Sequence, residues 1–333
     1  MVLSDLEREM MTTIFWLDHR SRTGAKVLPN KEALLKSDAW TKSGQDDRSL
    51  GELLERLHTA GLVVPVGELY RLTDEGTVVA KQSASEEFGE LLIVTGKSAA
   101  YRAFCQKVYG TSRSHYNMAT EQQLGKLIEV LNLGKKDRAL DLGCGIGAIS
   151  EHIAAVTGAN VLGVDYAAAA IQVAQERTRG KSTQLSFQVM DMDNLQLPEA
   201  GFDAIIAIDT LYFVRDLNSV IAAAKRGLRT GGRMGILFTT HVSPDEPKEK
   251  LEPKKTPLAK ALISNDLDFH TWDYTEDETG VWERQLQAAE ELKPAFESEG
   301  NLLIYQLRTG EASTVLEYCR TGRSSRYLYC AYP

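Results

Sequence analysis

Apolar residues recur along this chain at two different periods. Leu6, Met10, Ile14 and Leu17 fall three or four residues apart, which predicts an amphipathic helix over Leu3–Leu17. A second helix is expected over Lys31–Lys36. A third runs from Ser49, read as its N-cap, through Leu53, Leu54 and Leu57 to Ala60, and Gly61 stops it. Two short apolar runs around Gly67, within Leu62–Leu72, read as a β-hairpin, and a short helix follows as far as Lys81. Ser83–Glu90 reads as a linker into a helical stretch over 87–133. Beyond it the pattern changes. Short apolar runs at Arg138–Leu142, Val161–Asp165, Leu185–Met190, Phe202–Ile208 and Arg233–Phe238 alternate with helical segments, as in a parallel α/β sheet. Further on, Leu258–Ile263 and Glu283–Glu297 read as helices, Phe269–Tyr274 as a sixth strand and Ser325–Ala331 as the last. The charged, proline-containing Ser243–Lys255 reads as a loop or lid.

Composition narrows the class. With 333 residues, 43% hydrophobic and 25% charged, the chain is of ordinary globular make-up and long enough for two domains. The net charge of -8 argues against a chain-wide affinity for phosphate backbones or anionic membranes. No apolar run approaches the ~18 residues of a membrane span, and the charged first ten residues do not read as a targeting signal. Cys105, Cys144, Cys319 and Cys330 are widely spaced without metal-type pairing, so they read as reduced thiols in a cytoplasmic protein.

The chemistry gathers around Asp141-Leu142-Gly143-Cys144-Gly145-Ile146-Gly147-Ala148, at the end of one expected strand and the start of a helix. Glycines let the backbone turn tightly and approach a ligand, and free N–H groups at a helix start favour an electronegative group. Taken alone, Gly143-x-Gly145-x-x-Ala148 also fits a dinucleotide fingerprint. The flanks separate the two. Asp141 before the first glycine gives D-x-G-x-G-x-G, which resembles motif I of the class I S-adenosylmethionine-dependent methyltransferases. Val164-Asp165 ends the second strand and Val189-Met190-Asp191-Met192 the third. Gly201-Phe202-Asp203 matches the family's fourth-strand segment, and Leu228-Arg229-Thr230-Gly231-Gly232 its turn before strand five.

The resemblance implies a Rossmann-like, doubly wound α/β fold with a mostly parallel seven-stranded sheet whose last strand is antiparallel. It also implies a cofactor, S-adenosylmethionine, held by Asp141, Gly143, Cys144, Gly145 and Gly147, by Asp165 with Tyr166, by Asp191 with Met192, and by Asp209 with Thr210. Asp165 would bind the ribose hydroxyls, although an acid there suits a nicotinamide dinucleotide equally well. Asp191 would bond the adenine amino group. No metal is required.

Loops after strands four and five should shape the acceptor pocket. Tyr212 and Phe213 would wall it, with Trp272 and Trp282 from the C-terminal part, where helical insertions over 243–300 would form a cap. His241 is the candidate general base, since its ordinary pKa suits neutral pH. The segment containing Tyr109 and Tyr116 resembles the lead-in segment of small-molecule methyltransferases such as the sarcosine and phosphoethanolamine N-methyltransferases. Both tyrosines are therefore candidate catalytic residues.

The first 83 residues, three helices and a hairpin ending in Tyr70-Arg71-Leu72-Thr73-Asp74-Glu75-Gly76, resemble a winged-helix domain. Residues 1–80 hold ten basic and thirteen acidic side chains, which counts against DNA as a partner. Small-molecule O-methyltransferases use such a domain for dimerisation and to shape the acceptor pocket. The expectation is a cytoplasmic enzyme, divided at 83/84, that methylates N or O of a small molecule and forms a homodimer. Alternatives are a methyltransferase tailoring a ribosomally made peptide, or a DNA-binding regulator responsive to the cofactor.

Overall fold

The computed structural model describes residues 3–22, 28–181 and 183–333. The chain forms two compact units, Met1–Phe88 and Gly89–Pro333. The first holds helices α1 (Asp5–Arg22), α2 (Lys31–Leu35), α3 (Asp38–Ser43) and α4 (Asp47–Thr59) and an antiparallel hairpin of β1 (Val63–Val66) and β2 (Leu69–Leu72). Asn30 makes an isolated antiparallel bridge to Leu69. Met10, Ile14, Leu34, Trp40, Leu53 and Leu57 close its core. The helix expected from Ser49 starts earlier. Asp46 is the cap, its carboxylate accepting the Ser49 N–H at 2.9 Å, because Asp46-Asp47 supplies a stronger N-terminal signal than the serine.

Two elements correct the pattern reading. Ser83–Glu90 is no linker but the middle of helix α5 (Asp74–Lys97), which runs across the division between the units. Its serines and glycine lower helix propensity, yet tertiary contacts outweigh that local preference. The helical stretch expected over 87–133 breaks into the end of α5, then α6 (Ala99–Tyr109) and α7 (Glu121–Leu131), with an irregular segment between these two. Gly110, at φ 81°, ends α6.

The second unit is built on a seven-stranded sheet. Its strands are β3 (Arg138–Leu142), β4 (Asn160–Asp165), β5 (Leu185–Val189), β6 (Phe202–Ile208), β7 (Leu228–His241), β8 (Asp268–Asp273) and β9 (Ser324–Tyr332), in the order β5-β4-β3-β6-β7-β9-β8. The first five are parallel, and β9 lies antiparallel between β7 and β8. This is the mixed α/β, mostly parallel sheet that the strand pattern implied. Alternation along β6 sends Ala204, Ile206 and Ile208 to one face and Ile205 and Ala207 to the other. α7, α8 (Ala148–Thr157) and α9 (Ala168–Arg177) cover the first face, and α10 (Leu217–Gly227) with α11 (Pro257–Ser264) the second.

A helical layer completes the unit at the carboxyl end of the parallel strands. α12 (Thr275–Ser298) follows β8 directly and α13 (Leu302–Arg320) leads directly into β9. α6 and α12 share a core of Tyr101, Phe104, Tyr109, Val281, Ala288 and Phe296. The insertion therefore sits over 275–320 rather than 243–300. The segment expected as a lid is pinned: the Arg323 guanidinium donates to Ser243 O at 2.7 Å and to Pro244 O at 2.9 Å, and Glu246 accepts from Ser243 N at 2.9 Å. Among the described residues, no helix is long and apolar enough to cross a membrane.

Candidate active site

The glycine loop joins β3 to α8 and takes its shape from its neighbours. Gly143, Gly145 and Gly147 all lie at positive φ (74°, 54° and 75°). Gly143 and Cys144 donate their N–H groups to Val164 O at 2.8 and 3.0 Å, which ties the loop to the end of β4. A Cβ on Gly143 would stand 2.4 Å from the Thr210 methyl, and Thr210 Oγ1 donates to Leu142 O at 2.9 Å. Thr210 thus clamps β6 to the loop. Asp141 is buried and accepts the Ser150 hydroxyl at 2.5 Å, which secures the first turn of α8, while burial pushes its carboxyl up to about 6.

Asp165 ends β4 against this loop. One oxygen accepts Gly145 N–H at 2.8 Å and the other accepts Ala167 N–H at 2.9 Å. The Tyr166 N–H also bonds this carboxylate, which is 5% exposed and raised by burial above the ordinary range. Beyond it, Asp191 caps a short turn by accepting Asp193 N–H at 2.9 Å, and Val189, at the end of β5, is 56% exposed. Tyr166 and Met192 are half-buried beside these acids. The second half of α5 closes the other side: an added Cβ would place Gly145 3.4 Å from Leu92, and one on Gly89 would lie 3.3 Å from Ala169. A paired acceptor, an exposed apolar strand end and a glycine loop at the carboxyl edge of a parallel sheet suit the ribose, adenine and backbone-facing parts of a nucleoside cofactor. Cys144 stands in the same loop, and burial raises its thiol well above the ordinary range, so it stays protonated.

The remaining candidates divide sharply. Asp209, at φ 55°, is committed to the protein. Its carboxylate pairs with the Arg326 guanidinium at 2.7 and 3.0 Å and accepts Met118 N–H and Tyr212 OH, both at 3.0 Å. All four acceptor positions are filled, so its role is to hold the lead-in segment and β9 to the end of β6 and not to bind cofactor. Tyr212 likewise accepts Thr239 N–H at 2.6 Å and is a strut, whereas Phe213 is 41% exposed. Tyr109 is buried between α6 and α12, its hydroxyl donating to Gln285 at 2.9 Å, and burial raises the phenol above its ordinary range. That position removes it from the chemistry. Tyr116 lies with its ring 3.9 Å from the Arg308 guanidinium. Trp282 donates to Glu278 at 3.0 Å inside the helical layer, and Trp272 packs beneath Lys126 of α7.

His241, at the end of β7, is half-buried, with its ring 4.9 Å from that of Tyr318 and its Nδ1 without a hydrogen-bond partner. Burial, with the Arg326 charge nearby, pushes it down to about 4. Pattern reading overlooked Arg326, whose charge acts on it, and Glu278, which lies beside Arg326. Arg326 is wholly buried, and against that burial Asp209 and Glu278 hold its guanidinium charged. Glu278 is 1% exposed, and its Oε1 lies 3.3 Å from Arg326 Nε without hydrogen-bond geometry. An arginine within the otherwise apolar run Tyr327–Ala331 and its flank was the available signal.

Comparison with known proteins adds the decisive observation. Residues 140–236, from β3 into β7, match a methyltransferase-domain family. Residues 140–236 thus form a methyltransferase domain, and the sheet around them has the fold of the S-adenosylmethionine-dependent methyltransferases. Over 120 residues the chain is 33% identical to methyltransferase GfsG of Streptomyces halstedii, covering 35% of this chain and 43% of that one. Over 218 residues it is 27% identical to phosphoethanolamine N-methyltransferase 1 of Arabidopsis thaliana, covering 62% and 44%. The chain thus spans less than half the length of these curated relatives. In fold, it superposes on phosphoethanolamine N-methyltransferase 2 of Haemonchus contortus, solved with S-adenosyl-L-methionine, with a TM-score of 0.60 at 18% identity. That match covers 79% of this chain and 62% of that one. The methyltransferase domain supplies the glycine loop, Asp165 and Asp191. Arg326 and Glu278 lie outside the matched stretch.

Proposed function

We propose that this chain transfers a methyl group from S-adenosylmethionine to a nitrogen or oxygen of a small-molecule acceptor. The observation that carries the reading is the Asp165 carboxylate at the end of β4, held against the glycine loop by the Gly145 and Ala167 N–H groups. When bound, the cofactor supplies an electrophilic methyl on a sulfonium leaving group. The chain's own residues then bind, orient and exclude water. Asp165 takes the ribose hydroxyls, Asp191 orients the adenine amino group, and Val189 offers the ring an apolar surface. Leu92 and Gly96 of α5 press on the glycine loop from the opposite side, an added Cβ on Gly96 lying 2.8 Å from Ile146, and shield it from water. The acceptor enters under the α12–α13 layer, near His241 and Phe213. Relatives named for phosphoethanolamine support a small polar acceptor. The N-terminal unit, helices with a hairpin and a net acidic balance, is proposed as a winged-helix-like module for dimerisation.

Asp165→Ala tests the reading. Two charge-assisted hydrogen bonds to a diol are worth about 3 kcal/mol. Calorimetry should therefore show S-adenosylhomocysteine binding about 100-fold more weakly, and unchanged affinity would remove the cofactor assignment.

A further inference from the structure

The glycine loop is held mostly through its N–H groups. Gly143 and Cys144 donate to Val164 O, Gly145 donates to Asp165, and Gly147 donates to Cys144 O at 2.9 Å. One carbonyl of the loop is held differently. Ile146 O lies ahead of the α8 ladder, which the bond from Glu151 N to Gly147 O at 3.0 Å leads into. It accepts instead from a side chain, Arg177 Nη2, at 2.9 Å. Arg177 stands in the last turn of α9, 31 residues further along the chain. A basic residue there ordinarily answers its own helix dipole, but this one reaches across to the loop. The peptide between Ile146 and Gly147 is therefore fixed at both ends, its oxygen by Arg177 and its N–H by Cys144 O.

This peptide needs such a lock. A peptide unit turns over when ψ of the residue before it and φ of the residue after it change together, and a glycine accepts either sign of φ. Gly147 stands at φ 75°. Turned over, the unit would lose its bond to Cys144 and put a carbonyl where an N–H now stands. That would reverse the local polarity at a helix start, where N–H groups favour an electronegative ligand. The helix that carries Arg177 is itself anchored. Gln175 Nε2 donates to Phe187 O at 2.9 Å, tying α9 to β5, and Thr178 Oγ1 donates to Ala174 O at 2.7 Å. The other arm of the guanidinium donates to Glu151 of α8, which also accepts Lys181 Nζ at 2.7 Å. Burial works against the Glu151 charge, yet Lys181 and Arg177 hold its carboxyl below the ordinary range. One planar cation thus bridges the loop carbonyl and the helix that the loop opens, which the single nitrogen of a lysine does not reproduce.

The geometry points to Arg177 as a positioning residue of the glycine loop: it selects the orientation of the Ile146–Gly147 peptide in which the loop receives S-adenosylmethionine. The proposal rests on the methyltransferase reading above for the identity of the ligand, but the lock on the peptide stands without it. Arg177 acts through Ile146 O and needs no contact with the cofactor.

The test compares Arg177→Met with Lys181→Met in the full chain. Both remove a cation from Glu151, but only the first removes the donor on Ile146 O. Calorimetry should show S-adenosylhomocysteine binding about tenfold more weakly to Arg177→Met, as expected when a charged donor leaves a carbonyl. Lys181→Met should bind within about twofold of the unmodified chain. Arg177→Lys keeps the charge and loses the fork, so it should bind about threefold more weakly, and it replaces Arg177→Met should that variant fail to fold. Hydrogen exchange of the ligand-free chain gives an independent readout. The Gly147 amide should exchange about tenfold faster in Arg177→Met, while the amides of β3 and β6 keep their protection. Unchanged affinity in the Arg177 variants, an equal loss in Lys181→Met, or acceleration spread evenly through the sheet overturns the proposal. Failure of the unmodified chain to bind S-adenosylhomocysteine overturns the methyl-donor reading instead, and exchange at Gly147 still decides whether Arg177 locks the peptide.

Discussion

Gly147 shows how much a single position can demand. Its φ of 75° is one that L side chains rarely adopt, and a Cβ there would lie 2.5 Å from the Phe187 ring. Gly147→Ala should therefore destabilise the protein by about 2 to 4 kcal/mol, part backbone strain and part overpacking, measured by urea denaturation. His241 invites a second prediction. Its folded pKa of about 4 lies below the ordinary 6.5, so between these values the unfolded chain binds a proton that the folded one does not. Stability must then fall as pH drops through that window. From pH 7 to 5 the unmodified protein should lose about 2 kcal/mol more than His241→Asn. Asp141, raised to about 6, acts in the opposite sense, losing stability as pH rises, but it is common to both proteins and cancels from the difference. For the same reason turnover should show no acid limb near pH 6.5 that His241→Asn removes. The glycine loop was readable in the sequence because its conformation restricts which residues can stand there. Glu278 was not, because its meaning depends on Arg326, brought beside it by β9 and already neutralised by Asp209.

Elements were legible where period and boundary signals agreed. The strands β3 and β6 begin and end where alternation predicted, and the hairpin follows its glycine turn. α5 and α13 were not legible, and for related reasons. α5 is apolar on more than one side and carries serines and glycines, so no single stripe marks it. α13 owes its position to a buried cation. Arg308 bonds the Tyr101 hydroxyl, Tyr116 O at 3.0 Å and Glu311 at 2.8 Å, and its charge lies over the Tyr116 ring. In sequence it reads as one more surface arginine, although it pins the loop between α6 and α7 to α13. Arg308→Met should cost about 2 to 4 kcal/mol, since several buried acceptors lose their donor at once. Hydrogen exchange should accelerate at residues 112–118 while the amides of β3 and β6 stay protected. Uniform acceleration across the sheet would deny Arg308 this local role.

At the scale of the molecule, the residues assigned to the cofactor, together with Leu92 and Gly96, all belong to the unit Gly89–Pro333. A protein of residues 89–333 should accordingly melt in one transition and bind S-adenosylhomocysteine within about threefold of the full chain. Loss of binding would give the N-terminal unit a direct part in the cofactor site. The sequence announced this larger unit through its strand-helix alternation, but not the division inside α5, because nothing in local composition interrupts the helix there. The placement of β9 also bears on how the sheet is joined. β8 precedes β9 in the chain, yet in the sheet it touches β7 only through β9. The five parallel strands and the glycine loop lie within residues 138–241. β8 and the Arg326 partner of Asp209 are tied to these strands through β9, the last strand of the chain. The single strand β9 thus joins β8, and with it the start of α12, to the parallel part of the sheet, and it also carries the Arg326 that pairs with Asp209.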